Sequence, residues 1–377
     1  MRVALDLTPV LRERPSGFFT YGAGLLQGFA TLDQPPKLTL LAEPRALRNR
    51  HWLDNLPDTL HRSWRSTHLK SRHLLACWRH LHFPALQRLA GDFDLYHCIH
   101  QLIGPARNRP RLLTVHDLRR YRYPDFYPNS RLAPWEHAVR NADHFLAISE
   151  STRRDLQEFF DIPDHRIDVV YHGGPLHTPP AHEPCTPADP APDALKRLGL
   201  KPATYFVTFS SYDRRKNIPT TVRAFARAAQ GLPADFRLLV LGRTPPDLPA
   251  LLAEETAAAD RLVCPGPIND LADILRCATA LVYASLYEGF GLPILEAMAA
   301  GAAVITSNAS SMPEIAADAA LLVDPHQPDQ LADAMLNLAR DPDLRSRLIQ
   351  AGRLRAAQFS WPKAAAETLA VYQKLLT

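Results

Sequence analysis

The chain has 377 residues, enough for two domains, and its 46% of hydrophobic residues suffices for ordinary globular cores. A formal net charge of +4 is too small to imply a nucleic-acid partner. The five cysteines (Cys77, Cys98, Cys185, Cys264 and Cys277) are scattered, odd in number and without metal-ligand spacing, so reduced thiols in a cytoplasmic protein are expected. The opening residues MRVALDLTPV run straight into an apparent strand. No cleavable signal and no apolar run of about 18 residues is visible, so no transmembrane span is expected.

In chain order, Val3 to Leu7 reads as a strand, Tyr21 to Thr31 as a helix and Leu38 to Ala42 as a second strand. Residues 61–90 contain no Asp or Glu. Arg62, Arg65, Lys70, Arg72, Arg79 and Arg88 mix there with five histidines and with Trp64, Trp78 and Phe83. Such a segment suits contact with an anionic bilayer surface, a solvated basic helix, or a helix that binds an anionic acceptor. Further strands are predicted at Leu95 to His97, Leu112 to Val115, Phe145 to Ile148 and Arg166 to Tyr171. Ser149 is placed to cap the helix that follows, with Thr152 as the alternative.

Residues 175–192 change character. Pro175, Pro179, Pro180, Pro184, Pro187, Pro190 and Pro192 crowd a polar stretch with no regular element, an interdomain linker or a surface excursion. Strands resume at Tyr205 to Phe209, Arg237 to Leu241, Arg261 to Cys264, Ala280 to Tyr283, Ala303 to Thr306 and Ala320 to Val323, with helical patterns between. Repeated strand–helix–strand order implies an α/β fold of two Rossmann-like, doubly wound domains facing across a cleft. The boundaries expected are 1–174 for an N-terminal domain, 175–200 for the linker, 201–358 for a C-terminal domain and 359–377 for a final segment. Trp361 to Leu375 within it is an amphipathic helix.

Residues 285–301, SLYEGFGLPILEAMAAG, place Glu288 and Glu296 around a turn made of Gly289, Phe290, Gly291 and Leu292. A buried strand precedes the turn and a helix follows it, with Pro293 in the first helical turn. A strand, a glycine turn and a helix N-terminus together present free N–H groups and a positive dipole end to an anion. Arg214, Arg215 and Lys216 in SSYDRRKN (210–217) follow another strand, where such sheets bind ligands, and suit a diphosphate. His116 and Asp117 in TVHDL (114–118) follow a strand of the first half. In contrast, Asp92-Phe93-Asp94 resembles a metal-binding pair, but its setting GDFDLYH is a turn entering a strand. No hard-cation site is therefore expected.

The run from Glu288 through AMAAGAAVITSN, continued by SSMPEIAADAALLVDP, resembles the donor-binding region of the retaining glycosyltransferases of the GT-B fold. These form the large glycosyltransferase family 4, which includes bacterial mannosyltransferases and sucrose synthase. The resemblance is strong over 205–340 and weaker but in consistent order over 1–170, where ADHFLAISESTRRDL is one recognisable piece. It implies that Glu288 and Glu296 form the family's Glu-x7-Glu motif. Glu288 would lie beside the donor sugar and diphosphate, and Glu296 at the ribose. The N–H groups of Phe290, Gly291 and Leu292 would face the sugar and phosphate, with Gly289 in the same turn.

Arg215 and Lys216 match the family's phosphate-binding Arg-Lys-Asn, and His116 matches a His beside the anomeric carbon and 6-hydroxyl. Gly266 and Ile268 in CPGPIND (264–270) match a loop that reads the nucleobase. That loop is equally compatible with a simple turn capped by Asn269. Gly17 and Tyr21 in RPSGFFTYGAG match an N-terminal glycine loop, where Phe19 and Thr20 depart from the family's Gly and Arg. Ser360-Trp361 matches the start of a helix that crosses back to the first domain.

The resemblance thus implies a retaining, metal-independent hexosyltransferase without a cofactor. Its donor would be a nucleotide-diphosphate sugar, GDP-mannose or a GDP-deoxyhexose above others. Its acceptor would be a glycan or a lipid-linked glycan in O-antigen or exopolysaccharide assembly, with the enzyme cytoplasmic or peripheral on the inner face of the cell membrane. Two alternatives stand beside it: a sugar-nucleotide 2-epimerase of the same fold, and a non-catalytic partner that binds a sugar nucleotide.

Overall fold

The computed structural model describes residues 1–11, 16–57, 59–176, 185–186, 188–268 and 270–377. The chain divides into two compact units, Met1–Leu176 with Phe359–Thr377, and His177–Gln358.

The first unit holds a seven-stranded sheet built from β1 (Arg2–Asp6), β2 (Lys37–Ala42), β3 (Arg62–Ser66), β4 (Leu95–Cys98), β5 (Arg111–Val115), β6 (His144–Ala147) and β7 (Ile167–Val169). Its order is β3-β2-β1-β4-β5-β6-β7, and every neighbouring pair is parallel. Successive side chains point to opposite faces, and both faces are covered. Val3 and Leu5 join one core with Leu38, Leu40 and Leu95, while Ala4 joins the other with Leu41, Tyr96 and Cys98. This two-sided burial explains why the strands read as nearly unbroken apolar runs.

Two local readings of the sequence differ from the structure. The first helix spans Gly17–Phe29, four residues earlier than its apolar pattern implied. Ser16 is extended and its carbonyl accepts from Thr20 N, so the glycine-containing segment after it is helical rather than a loop. Residues 61–90 are not one basic helix. They form β3, a helix Ser71–Leu81 and a short helix Leu86–Ala90. Trp78 faces inward, 1% exposed, and its Nε1 donates to Pro84 O at 2.8 Å. Trp64 packs half-buried on the core, so Leu81 and Phe83 are the exposed apolar side chains of that stretch beyond β3 and Leu69.

The final helix, Trp361–Lys374, packs on the helix Gly17–Phe29. Trp361 Nε1 donates to Gly174 O at 3.0 Å, and Tyr372 OH pairs with His97 Nδ1 at 2.6 Å. The two helices approach through glycines. A Cβ at Gly28 would lie 2.2 Å from Trp361 O, and one at Gly24 would lie 2.1 Å from the Trp361 ring. The Gly28 contact is with backbone, which cannot swing aside. Gly28→Ala is therefore expected to destabilise the protein by about 1–3 kcal/mol through overpacking, although alanine is the better helix former. Urea unfolding of the variant checks this, and an unchanged midpoint would contradict the packing described.

The second unit holds β8 (Tyr205–Ser210), β9 (Arg237–Gly242), β10 (Leu262–Gly266), β11 (Ala280–Tyr283), β12 (Val304–Ser307) and β13 (Leu321–Val323). Their order is β10-β9-β8-β11-β12-β13, again all parallel. The chain runs outward from β8 to β10 and then returns to β11, so the strand order reverses between β8 and β11. Ligands of doubly wound sheets bind at the carboxyl ends of the strands at such a reversal. The stretch 175–200 contains a short helix, Asp193–Arg197, while 177–184 and Pro187 lie outside the described residues.

The cysteine reading needs correction. Cys185 and Cys277, 92 residues apart in sequence, lie with Cα atoms 4.7 Å apart and are joined as a disulfide. So large a separation leaves no spacing signal. Cys77, Cys98 and Cys264 are free.

Candidate functional site

The carboxyl ends of β8 and β11 bring the two charged motifs together. After β8, Asp213 Oδ1 accepts from Arg215 N at 3.2 Å and starts a turn of 3-10 helix, Arg214–Lys216. Asn217 then adopts a left-handed conformation, with φ of 55°, which turns the chain into the helix Ile218–Ala229. Its side-chain amide donates to Ala284 O at 3.0 Å and to Pro325 O at 2.7 Å, tying the basic turn to the end of β11.

After β11 the chain passes through Glu288 to Gly291, whose φ of 117° is a backbone conformation that favours glycine. The helix Leu292–Ala300 starts there, with Pro293 in its first turn. Gly291 N and Leu292 N donate to no acceptor among the described residues. They are the free donors that a helix N-terminus leaves.

Glu288 sits at the centre of a buried network. Lys216 Nζ donates to its Oε1 at 2.8 Å, Tyr283 OH donates to the same oxygen at 2.6 Å, and Arg215 Nη1 pairs with its Oε2. Lys216 Nζ also donates to Tyr283 OH and lies 4.6 Å from the centre of that ring. Arg215 is braced by Asp213 Oδ2 at 3.0 Å and Tyr287 O at 3.0 Å. From the turn after β12, Ser310 Oγ accepts from Glu288 N at 2.8 Å, and Ser311 Oγ donates to Phe290 O at 2.6 Å.

Burial alone would raise the Glu288 carboxyl, but Arg215, Lys216 and the hydrogen bonds from Lys216 and Tyr283 outweigh it and hold it well below the usual range. Burial pulls Lys216 down against the opposing pull of Glu288. The network thus sets two largely enclosed cations, one of them a planar guanidinium, against the carboxylates of Glu288 and Asp213, next to open N–H groups. Guanidinium and ammonium donors beside open N–H groups suit the oxygens of an incoming anion.

Glu296 stands apart. It is half-buried on the helix Leu292–Ala300 with no hydrogen-bond partner among the described residues, and burial raises its carboxyl. Gly289 and Phe290 are buried within the turn, and Leu292 is half-buried at the helix start. Gly266 ends β10 with φ of 82°, two residues beyond the strand end expected, across a register shift after Val263. Ile268 follows it half-buried, and Asn269 lies outside the described residues.

In the first unit, His116 follows β5 and Gly17 opens the helix Gly17–Phe29, exposed, where a Cβ would meet nothing within 4 Å. The His116 ring has Phe18 and Tyr21 edge-on, each with centroids 4.8 Å away, and His172 at 5.6 Å. Its Nε2 is enclosed without a hydrogen-bond partner among the described residues. Tyr21 OH pairs with Thr114 Oγ1 at 3.2 Å, and His97 Nε2 pairs with the same hydroxyl at 2.6 Å. Asp117 accepts from Arg119 N at 3.4 Å, which shapes the following turn. The pair Asp92 and Asp94 is engaged by Arg2, whose N and Nη2 each lie 2.8 Å from Asp94. Among the described residues no three His, Cys, Asp or Glu side chains gather to hold a metal ion.

Burial pushes His116 down to about 4 and His97 down to about 3, and it lowers His172 as well. These rings are neutral when folded, whereas the unfolded chain protonates them near 6.5. Their contribution to stability is therefore complete above 6.5 and is lost as pH falls from there toward 4. Chemical unfolding should show stability declining already between pH 6.5 and 5, above the range of ordinary carboxylates. A flat profile across that interval would contradict neutral burial of these rings.

Comparison with known proteins bears on this arrangement. The model of the "Glycosyl transferases group 1" family matches residues 194–355, and that of "Glycosyltransferase Family 4" matches 34–176. The chain is 30% identical over 287 residues to the O-antigen chain mannosyltransferase B of Escherichia coli, covering 72% of each protein. The chain belongs to the group 1 glycosyl transferases.

This glycosyltransferase is also 31% identical over 296 residues to an alpha-maltose-1-phosphate synthase of Mycolicibacterium smegmatis, covering 71% of this chain and 73% of that one. Among solved structures, a sucrose-phosphate synthase from Thermosynechococcus elongatus superposes with a TM-score of 0.72 at 22% identity over 100% of this chain and 99% of that one. WaaG, a glycosyltransferase involved in lipopolysaccharide biosynthesis, does so with a TM-score of 0.69 at 15% identity over 98% and 99%. These likenesses establish the GT-B fold of two Rossmann-like units.

Sequence reasoning singled out Glu288, Arg215 and Lys216, which the structure brings into one network. It passed over Tyr283, Asp213, Ser310 and Ser311. All four lie within or beside the motifs quoted, and a strand-end tyrosine directly before an acidic turn was the available signal.

Proposed function

We propose that the enzyme transfers a hexose, mannose or a related deoxyhexose, from a GDP-linked donor with retention of anomeric configuration and without a metal ion. The observation that carries this reading is the buried Arg215–Lys216–Glu288 network beside the open N–H groups of Gly291 and Leu292. A leaving diphosphate needs cations and fixed N–H donors, and these can stabilise it without a metal. Glu288 orients both cations, Gly289 and Phe290 shape the turn, and Glu296, without a hydrogen-bond partner among the described residues, is placed to accept from ribose hydroxyls. Gly266 and Ile268 are assigned to the nucleobase and Gly17 to the donor edge of the first unit. His116, neutral and with an enclosed ring nitrogen, is assigned to the transferred sugar.

Two relatives named as mannosyltransferases, one of them for the O-antigen chain, support mannose and a glycan acceptor. A lipid-linked acceptor would bring the enzyme to the inner face of the cell membrane. The exposed Leu81 and Phe83, with Arg79 and Arg88 nearby in sequence, supply an apolar and basic surface for that contact, and no helix among the described residues is long and apolar enough to cross a membrane.

The test is a thermal-shift comparison of GDP-, UDP- and dTDP-sugars, followed by measurement of released nucleoside diphosphate. GDP-mannose should raise the melting temperature most. A preference for a UDP-sugar would overturn the donor assignment while leaving the transfer reaction in place.

A further inference from the structure

The network above leaves a second cationic feature of the molecule unused. In the first unit, Pro44, Arg45, Arg48, His68 and Lys70 line a cavity of about 460 Å³. After β2, Arg45 immediately precedes the 3-10 segment Ala46–Leu53 and Arg48 lies on it, whereas His68 and Lys70 follow β3. Because β2 and β3 are parallel neighbours, both loops leave the sheet at its carboxyl edge.

The loop after β3 is firmly built. His68 is left-handed, with φ of 59°, and its N donates to Ser66 Oγ at 3.1 Å, while Thr67 Oγ1 donates to Leu69 O at 2.8 Å. The carboxylate beside the cavity, Glu43, is committed elsewhere: its Oε2 accepts from Ser71 N and Oγ at 2.9 Å each. Arg45, Arg48 and Lys70 form no ion pair among the described residues. Three cations and a histidine around one concavity, with no counter-charge, are matched by a compact, multiply charged oxyanion.

We infer that this cavity binds the phosphate or diphosphate group of the acceptor. Arg45 and Arg48 supply planar forks for its oxygens, Lys70 a point charge and His68 a further donor. The cavity lies on the same sheet edge as His116, and β2 and β5 are three strand positions apart, about 14 Å at the usual spacing. That span suits an acceptor whose phosphate sits at the far end of a short glycan from its reacting hydroxyl. As an acceptor subsite the cavity presupposes the transfer reaction above; as a phosphate site it does not.

The probe is inorganic pyrophosphate, titrated by calorimetry at low salt into the full-length protein. Lys216→Ala first weakens the donor-side cations, and Arg48→Gln with Lys70→Gln is then added. The single variant should still bind pyrophosphate, and the added pair should weaken that binding roughly a hundredfold, about tenfold for each charged hydrogen-bonding group lost. Arg48→Lys with Lys70→Arg should retain most of it. The Arg48 and Lys70 side chains are exposed, so a melting temperature unchanged from that of Lys216→Ala verifies folding of the added pair.

Pelleting with phosphatidylcholine vesicles containing phosphatidylglycerol separates the sources. Parallel loss of pelleting in the double variant identifies a lipid-borne phosphate, and unchanged pelleting a water-soluble one. No pyrophosphate binding in Lys216→Ala, or equal binding after the added pair, would overturn the cavity assignment. So would lost pelleting with pyrophosphate binding unchanged. If instead Lys216→Ala leaves the wild-type stoichiometry intact, the donor-side assignment fails and the cavity assignment stands.

Discussion

Lys216→Ala is expected to reduce transfer by about a hundred- to a thousandfold or more, mostly in kcat, while the protein stays folded. Lys216 is 13% exposed and donates to both Glu288 and Tyr283. Removing it leaves Glu288 paired with Arg215 and with Tyr283 OH, so the carboxylate is not stranded. The stability loss should therefore be modest, about 1–3 kcal/mol for lost charged hydrogen bonds. The catalytic loss is larger because a preorganised cation acts on charge that builds up on the leaving diphosphate. Steady-state kinetics with matched unfolding curves check both parts. Full activity in this variant would remove Lys216 from the site.

Glu288→Gln should harm the fold as well as the activity. Gln keeps the size of the side chain but not its charge, and it leaves Lys216 without a carboxylate and Arg215 with Asp213 alone. Breaking a buried ion pair from one side costs about 3–5 kcal/mol. With the 377 residues unfolding as one unit, that corresponds to a melting temperature lower by roughly 4–6 °C. The pH dependence carries the same signature. The Glu288 carboxyl is held below its ordinary value of 4.5, so its stabilisation is complete above 4.5 and is lost as pH falls toward its depressed value. Wild-type stability should then fall more steeply than that of Glu288→Gln below pH 4.5. Equal slopes, or an unchanged melting temperature, would mean that the cations do not depend on this carboxylate.

The parts of the fold that the sequence disclosed are those buried on two sides. Strands β8 and β11 read as plain apolar runs because helices cover both faces, and a strand of that kind has no other composition open to it. Strand β3, with the sequence Arg-Ser-Trp-Arg-Ser, lies at the sheet edge and alternates half-buried with exposed positions. Its arginines drew it into an apparent basic segment. The helix Gly17–Phe29 was read late because glycines that serve helix–helix approach look, in sequence, like a loop.

The site divides the same way. Glu288, Arg215 and Lys216 announce themselves by charge at strand ends, whereas Ser310 reaches Glu288 from 22 residues away and leaves no pattern. Ser149 was legible as a cap because capping is local, and its Oγ accepts from Thr152 N at 3.1 Å. The Cys185–Cys277 bond was not, because proximity there is made by the sheet.

The central claim is that the Arg215–Lys216–Glu288 network binds and discharges a nucleotide-diphosphate sugar. Its most direct test is nucleoside diphosphate release from GDP-mannose by the wild-type enzyme and by Lys216→Ala, at equal and verified folded concentration. The account predicts release by the wild type and near-background release by the variant. Equal release by both, or none by the wild type from GDP-, UDP- and dTDP-sugars alike, would contradict it.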